Sequence, residues 1–292
     1  MTPFITFRII KLTLYSWFFY LLVSSRVQLS NNVALRSFQK NHDIPTPEVV
    51  NLLIAHPDDE VMFFSPTLTQ LQTLDNHNIS FNIICFSNGD ADGLGNIRAK
   101  ELNESIALLL RNHNYQVHLF NHKDGMNETW DQELMLSQLN QIIDSKQNNL
   151  LITFDSDGVS GHINHRTCHS IAMKYRSTHD NVMLLLLDSY GNNILKKYSA
   201  FALELVKVMI HFIFETYEKF CQNKFMPTTV LNYYNEKLQT KNNDKITFFI
   251  PFPKYVFAYA TMLNAHKSQV VWFRYGWWAF SRFVFVNDLQ VV

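Results

Sequence analysis

From residue 48 onward, short apolar runs alternate with longer stretches whose apolar positions recur every three or four residues. The runs are VVNLLIAH (49–56), FNIICFS (81–87), QVHLF (116–120), LLITFD (150–155) and VMLLLLD (182–188). Between them lie a segment reaching Leu71, RAKELNESIALLLRN (98–112), WDQELMLSQLNQIIDS (130–145) and a segment through Tyr175, all of helical period. Strand followed by helix, repeated, predicts an α/β fold: a Rossmann-like, mostly parallel sheet with helices on both faces. VMLLLLD shows no alternation, as expected of a strand buried on both sides. Residues 198–220 carry one more helical pattern, read either as a helix packed on the domain or as one lying on a membrane surface.

The start of the chain follows another pattern. Residues 4–25, FITFRIIKLTLYSWFFYLLVSS, are apolar apart from Arg8 and Lys11, which leave a charge-free run shorter than the roughly 20 residues of a membrane span. Because basic side chains snorkel to an interface, the favoured expectation is an N-terminal hydrophobic anchor helix over 1–30, a polar linker over 31–47 and one domain over 48–292. A cleaved signal peptide and a helix buried in the domain are the other readings. Cations on both flanks leave the orientation undecided.

Composition narrows the classes. With 292 residues, 47% of them hydrophobic, the chain can bury a large core, and zero net charge offers no basic face for nucleic acid. Cys85, Cys168 and Cys221 form no CxxC pair, so neither a disulfide framework nor a thiolate zinc site is expected, which fits a reducing compartment.

Two polar clusters then stand out where strands end. In AHPDDE (55–60), His56 closes the first strand and Asp58, Asp59 and Glu60 fall in the first turn of a helix after Pro57. Helix capping alone accounts for acids there, but not for His56 or for the doubled aspartate. In TFDSDGVSGHINH (153–165), a glycine-containing loop delivers His162 and His165, whose i,i+3 spacing predicts one shared helical face. Ligands of such sheets bind outside the carboxyl ends of the strands, where both clusters sit. His56, one aspartate and one of the two later histidines make a three-ligand catalytic metal set, with the remaining aspartate and histidine free for proton transfer. Spacing alone does not say which aspartate is the ligand.

AHPDDE together with TFDSDGVSGHINH resembles the PIG-L/LmbE-like family of zinc de-N-acetylases, and AHKSQVVWFRYGWWAFSRF (265–283) looks like that family's eukaryotic branch. The resemblance implies a Rossmann-like layer, one Zn2+ held by His56, Asp59 and His165, Asp58 as general base, and His162 stabilising the oxyanion or protonating the departing amine. It implies removal of the N-acetyl group from the glycolipid N-acetylglucosaminylphosphatidylinositol, the second step of GPI-anchor synthesis. The implied location is the endoplasmic reticulum membrane, with the catalytic domain facing the cytosol. The sequons at Asn78, Asn103 and Asn127 are then expected to be unglycosylated. Arg98, Glu101 and Asp124 are expected near the sugar or phosphate, where an arginine suits a phosphodiester. His266 is a further substrate-binding candidate, although Lys267 departs from the arginine usual after it. The aromatic and basic residues that follow read as an interfacial surface or as core. A de-N-acetylase of soluble N-acetyl sugar conjugates and a non-catalytic protein keeping the fold are the alternative functions.

Overall fold

In the computed structural model the described residues are 3–41, 46–74, 79–198, 204–206, 208–210, 213 and 244–292. They form a seven-stranded sheet in the order β3-β2-β1-β4-β5-β7-β6. Strands β1 (Val49–Ile54), β2 (Ser80–Cys85), β3 (Asn114–Leu119), β4 (Asn149–Phe154) and β5 (Val182–Leu187) are parallel. β6 (Lys245–Phe249) and β7 (Val286–Val291) complete it with two antiparallel pairings, so β6 again runs in the direction of β5. Helices α4 (Gly95–Leu109), α5 (Gln132–Ile142) and, after the one-turn α6 (Gly158–Gly161), α7 (Ile163–Thr178) make the crossovers. The expected fold is therefore present, with strand ends one or two residues from the sequence reading.

The central strands β1 and β4 are buried at every position, as continuous apolar runs require. Their polar exception is satisfied internally: Asn51 Nδ2 donates to Asn149 Oδ1 (3.0 Å) and Asn82 Nδ2 donates to Asn51 Oδ1 (2.9 Å). After β1, the single helix expected to reach Leu71 is two short ones, α2 (Asp59–Met62) and α3 (Ser65–Leu71). Pro66 accounts for the break, because it lacks the donor a continuing helix needs but fits the first turn of a new one.

The N-terminal segment differs from expectation. Residues 3–41 form one helix, α1 (Pro3–Asn41), so much of the stretch read as a linker is helical. Its length follows from a continuous buried stripe of Tyr20, Val23, Val27, Leu35 and Phe38, which carries the apolar face past residue 31. Asn31 exchanges hydrogen bonds with the Phe249 backbone, and Ser24 Oγ accepts from Phe252 N. α1 thus packs one face on β6 and α8 (Phe252–Ala265), while Leu12, Leu14, Phe18 and Leu22 stay exposed on the other. Among the described residues no helix is long and apolar enough to cross a membrane.

Most of the helical pattern over 198–220 lies outside the described residues, though 204–206, 208–210 and 213 are helical. Cys85 and Cys168 are free and buried, while Cys221 and Asn78 lie outside the described residues.

Candidate metal centre and active site

The strand order reverses between β1 and β4, and a doubly wound sheet opens its ligand crevice at the carboxyl end of such a reversal. His56 and Asp59 arrive there from β1, His162 and His165 from β4. His56, Asp59 and His165, all buried, bring ligand atoms within 4.8 Å of one another, and His56, Asp124 and His162 form an overlapping set nearer solvent.

Each side chain is aimed by its local structure. Asp59 Oδ2 accepts from the backbone N–H groups of Ala55 (3.0 Å) and His56 (2.9 Å), leaving Oδ1 turned toward His165 Nε2 at 3.3 Å. His165 Nδ1 faces the Gly158 carbonyl at 3.1 Å, so it carries the proton and donates. In a neutral ring Nε2 is then a lone pair, and it confronts a carboxylate oxygen. Two buried acceptors that close require a cation between them, a proton or a metal, and nitrogen and carboxylate donors of this kind fit a divalent ion. His56 adds a third donor: its buried Nε2 lies 2.9 Å from Asp124 Oδ1 without an aligned hydrogen bond. Gly158 permits the approach, since at φ +56° a Cβ there would meet His165 Cβ at 2.9 Å.

Charge is concentrated around these groups. Burial acts to lower the His56 imidazole pKa, but Asp124, Asp59 and Asp58 outweigh it and raise the group above its ordinary value. Burial resists the charge on Asp59, yet His165 and His56 hold this carboxyl well below the usual range. His162 is pushed down to about 4 by desolvation and by the neighbouring His165 and His56. Its ring lies 5.0 Å from that of His165 and 4.8 Å from that of His56. His162 does not share the helical face of His165, as spacing predicted; it is the N-cap of α7, accepting the Asn164 N–H at Nδ1 (3.3 Å).

The two aspartates go different ways. Asp58, at a left-handed φ of 111°, lies outside the donor set and between two arginines, with Oδ1 3.5 Å from Arg98 Nη2 and Oδ2 3.3 Å from Arg274 Nη2. Burial raises its pKa against the pull of both guanidinium groups. Arg98 also donates to the Pro57 carbonyl (2.7 Å) and the Gly89 carbonyl (3.0 Å) and lies 3.6 Å from Asp124, so it spans both acids.

Glu101 and His266 are instead committed to the crevice wall. Glu101 accepts from Ser268 N (2.7 Å) and Ser268 Oγ (2.6 Å). His266, fully buried, pairs through Nε2 with Glu60 Oε1 at 2.6 Å. Glu60 also accepts from Ser105 Oγ (2.5 Å) and, through Oε2, from the Asp58 backbone N–H (3.1 Å).

The sequence reading gave no catalytic or substrate-binding role to Glu60, Asp155 or Arg274. Asp155 organises the loop before His162, accepting from Gly158 N (3.1 Å), Ser189 N (2.6 Å) and Ser189 Oγ (2.5 Å). An acid opening a glycine loop at a strand end was a usable signal for it. Nothing in local spacing marks Arg274, which reaches Asp58 across 216 residues of chain.

A Rossmann-like sheet with a buried His, Asp, His donor set at its switch point, and a second carboxylate beside that set, fits a metal-assisted hydrolase. Comparison with known proteins gives the family. The family described as PIG-L: GlcNAc-PI de-N-acetylase matches residues 51–176. The N-acetylglucosaminyl-phosphatidylinositol de-N-acetylase of Saccharomyces cerevisiae is 42% identical over 300 residues, 98% of this chain and 94% of that protein. The probable enzyme of that name from Schizosaccharomyces pombe is 33% identical over 83% of this chain and 86% of its own. The Bos taurus protein is 28% identical over 82% and 81%. The chain belongs to the PIG-L family of de-N-acetylases.

Proposed function

We propose that this chain hydrolyses the N-acetyl group of N-acetylglucosaminylphosphatidylinositol, giving glucosaminylphosphatidylinositol and acetate, with one zinc ion held by His56, Asp59 and His165. The observation that carries the reading is the buried confrontation of His165 Nε2 and Asp59 Oδ1 at 3.3 Å, which calls for a cation at the mouth of the sheet. The names of the relatives supply the substrate. A bound zinc supplies Lewis acidity and makes its water acidic enough to react near neutral pH.

The chain's own groups then divide the proton work. Asp58 takes a proton from the attacking water; its raised pKa makes it a better base than an ordinary aspartate, and Arg98 and Arg274 fix both of its oxygens. His162 is neutral at pH 7 and accepts at Nδ1, so its proton sits on Nε2 and serves as a hydrogen-bond donor to the developing oxyanion. A group titrating near 4 is a poor source of protons at pH 7. The amine's proton therefore comes from Asp58, which returns what it took from water, and one water is consumed as amide becomes amine and acetate. Asp124, whose side chain beside His56 is about 10% exposed, accepts from sugar hydroxyls. The substrate's lipid implies a membrane surface, at the endoplasmic reticulum with the catalytic domain facing the cytosol.

Metal content, melting temperature and turnover of four variants test the assignment. Asp59→Ala and His165→Ala are expected to lose zinc. Asp58→Asn and His162→Ala are expected to keep it, with Asp58→Asn about 10²- to 10⁴-fold slower. Zinc loss in His162→Ala with retention in His165→Ala would move the metal to the outer set of His56, Asp124 and His162. Near-normal rates in all four would remove the hydrolase reading.

A further inference from the structure

We propose that α9 (Trp272–Phe280) is a bilayer-docking lip, seating the catalytic crevice on an anionic lipid surface. The inference deepens the glycolipid reading and rests on it for the identity of the surface. Helix α9, WFRYGWWAF, is divided lengthwise. One stripe faces the protein: Arg274 reaches Asp58 (3.3 Å), Trp277 packs on Phe63 (5.7 Å between rings) and Trp278 is buried. The other stripe is bare, with Trp272 84%, Phe273 51% and Phe280 64% exposed. An aromatic stripe this open, on a helix whose other face reaches Asp58, marks an interaction surface.

A second exposed apolar surface borders the same edge. Because β6 runs parallel to β5, its carboxyl end shares the edge that holds the metal cluster. Going backward along α1, Leu35 and Phe38 line one cavity with Ile246 and Phe248, Asn31 meets Phe249, and Tyr20 reaches the Ile250 carbonyl. Residues before Tyr20 therefore extend past the edge, by about 12 Å at Leu12 given 1.5 Å per helical residue. Their outer face carries exposed Leu14, Phe18 and, one turn on, Leu22. Trp17 packs on Tyr255 (5.4 Å), and Tyr255 packs on Trp278 (6.0 Å), so α1 and α9 are braced by one aromatic row.

Charge identifies the occupant as lipid rather than a second apolar protein face. Neither residues 1–42 nor residues 245–287 contain an aspartate or glutamate, although each stretch has five lysines and arginines; in the second, Lys245, Arg274 and Arg282 pair with carboxylates elsewhere in the fold, while Lys254 and Lys267 are exposed. The two segments flanking the crevice have thus been cleared of acid, as an anionic headgroup layer requires, and they carry the Trp, Tyr and Phe that settle at its depth.

The test uses the full chain with vesicles of phosphatidylcholine and phosphatidylinositol. The double variant Trp272→Ser/Phe280→Ser is expected to melt like the parent and to partition about tenfold less onto vesicles. Its KM for embedded glycolipid should rise comparably, while turnover of a soluble, acyl-free N-acetylglucosaminyl inositol phosphate is unchanged. Quenching of tryptophan emission by brominated phosphatidylcholine should fall in Trp272→Ser. Unchanged partitioning and quenching would overturn the proposal and leave the stripe to a protein partner, and equal loss on soluble and embedded substrates would make these residues part of the site. Should the parent hydrolyse neither substrate, the proposed function falls, and the partitioning and quenching results still decide the lip.

Discussion

Glu60 is the point at which stability and catalysis are most tightly joined, and a double-mutant cycle with His266 measures it. The carboxylate is fully buried and accepts from Ser105 Oγ, His266 Nε2 and Asp58 N at 2.5, 2.6 and 3.1 Å. Glu60→Met strands a buried imidazole, a hydroxyl and a backbone donor; His266→Leu strands a buried carboxylate. Removing one member of such a pair costs about 3 to 5 kcal/mol, a large share of the roughly 5 to 15 kcal/mol that holds a domain folded. Replacing both with apolar groups removes the uncompensated charge, so the double variant should recover about 2 kcal/mol or more relative to the sum of the singles. Urea unfolding followed by circular dichroism supplies the four free energies. The pair also fixes a sign with pH. Burial lowers the His266 pKa but Glu60 raises it further, so its folded value lies above the ordinary 6.5. Stability from its charge is therefore fully present below about pH 6.5 and fades as pH climbs through the folded value, and His266→Leu should lack this decline. Singles costing under about 1 kcal/mol, additive free energies, or an identical pH slope in His266→Leu would refute the reasoning.

Three further outcomes are expected. Gly158→Ala forces a Cβ to 2.9 Å from His165 Cβ in a left-handed backbone, so it should destabilise by about 1 to 3 kcal/mol and lower zinc content; full zinc with unchanged melting would count against the aim of His165. In metal-free protein, imidazole NMR titration should place His162 near pH 4 and His56 above 6.5, and the reverse order would displace the tautomer assigned to His162. Glycosidase treatment of native protein should leave its mass unchanged, since Asn103 and Asn127 belong to a domain proposed to face the cytosol; a shift would reverse that topology.

The sequence displayed most of the fold because its central parallel strands, β1, β4 and β5, are buried at nearly every position and so are written as near-continuous apolar runs. It displayed the metal-site candidates because His56, Asp59, His162 and His165 fall at strand ends, where the backbone alone delivers them to one edge. What it hid depends on distant partners. KITFF and VNDLQV are short and mixed in polarity, and their pairing emerges only when β7 inserts between β5 and β6. Asp58 and Asp59 are adjacent, and their separation into an arginine-bound and a histidine-bound carboxylate needs Arg274 and the left-handed turn. Glu101 and His266 sit at the right height in the sequence pattern, but their partners Ser268 and Glu60 turn them into the wall.

The packing of α1 on β6 has a consequence for how the protein is made. β6 reaches the sheet only through β7, so the part of the α1 stripe that packs on β6 and α8 has no seat until residues 245–291 have been synthesised. At about 5 to 20 residues per second, more than two hundred residues of synthesis leave the helix waiting for roughly ten to forty seconds. Throughout that interval the part later covered by β6 is open along with the face that stays outside, and over residues 17–23 the nascent chain displays apolar side chains on both faces of the helix. Cellular machinery that sorts emerging polypeptides by their first greasy segment meets that form, and not the finished fold in which half of the same helix has become interior.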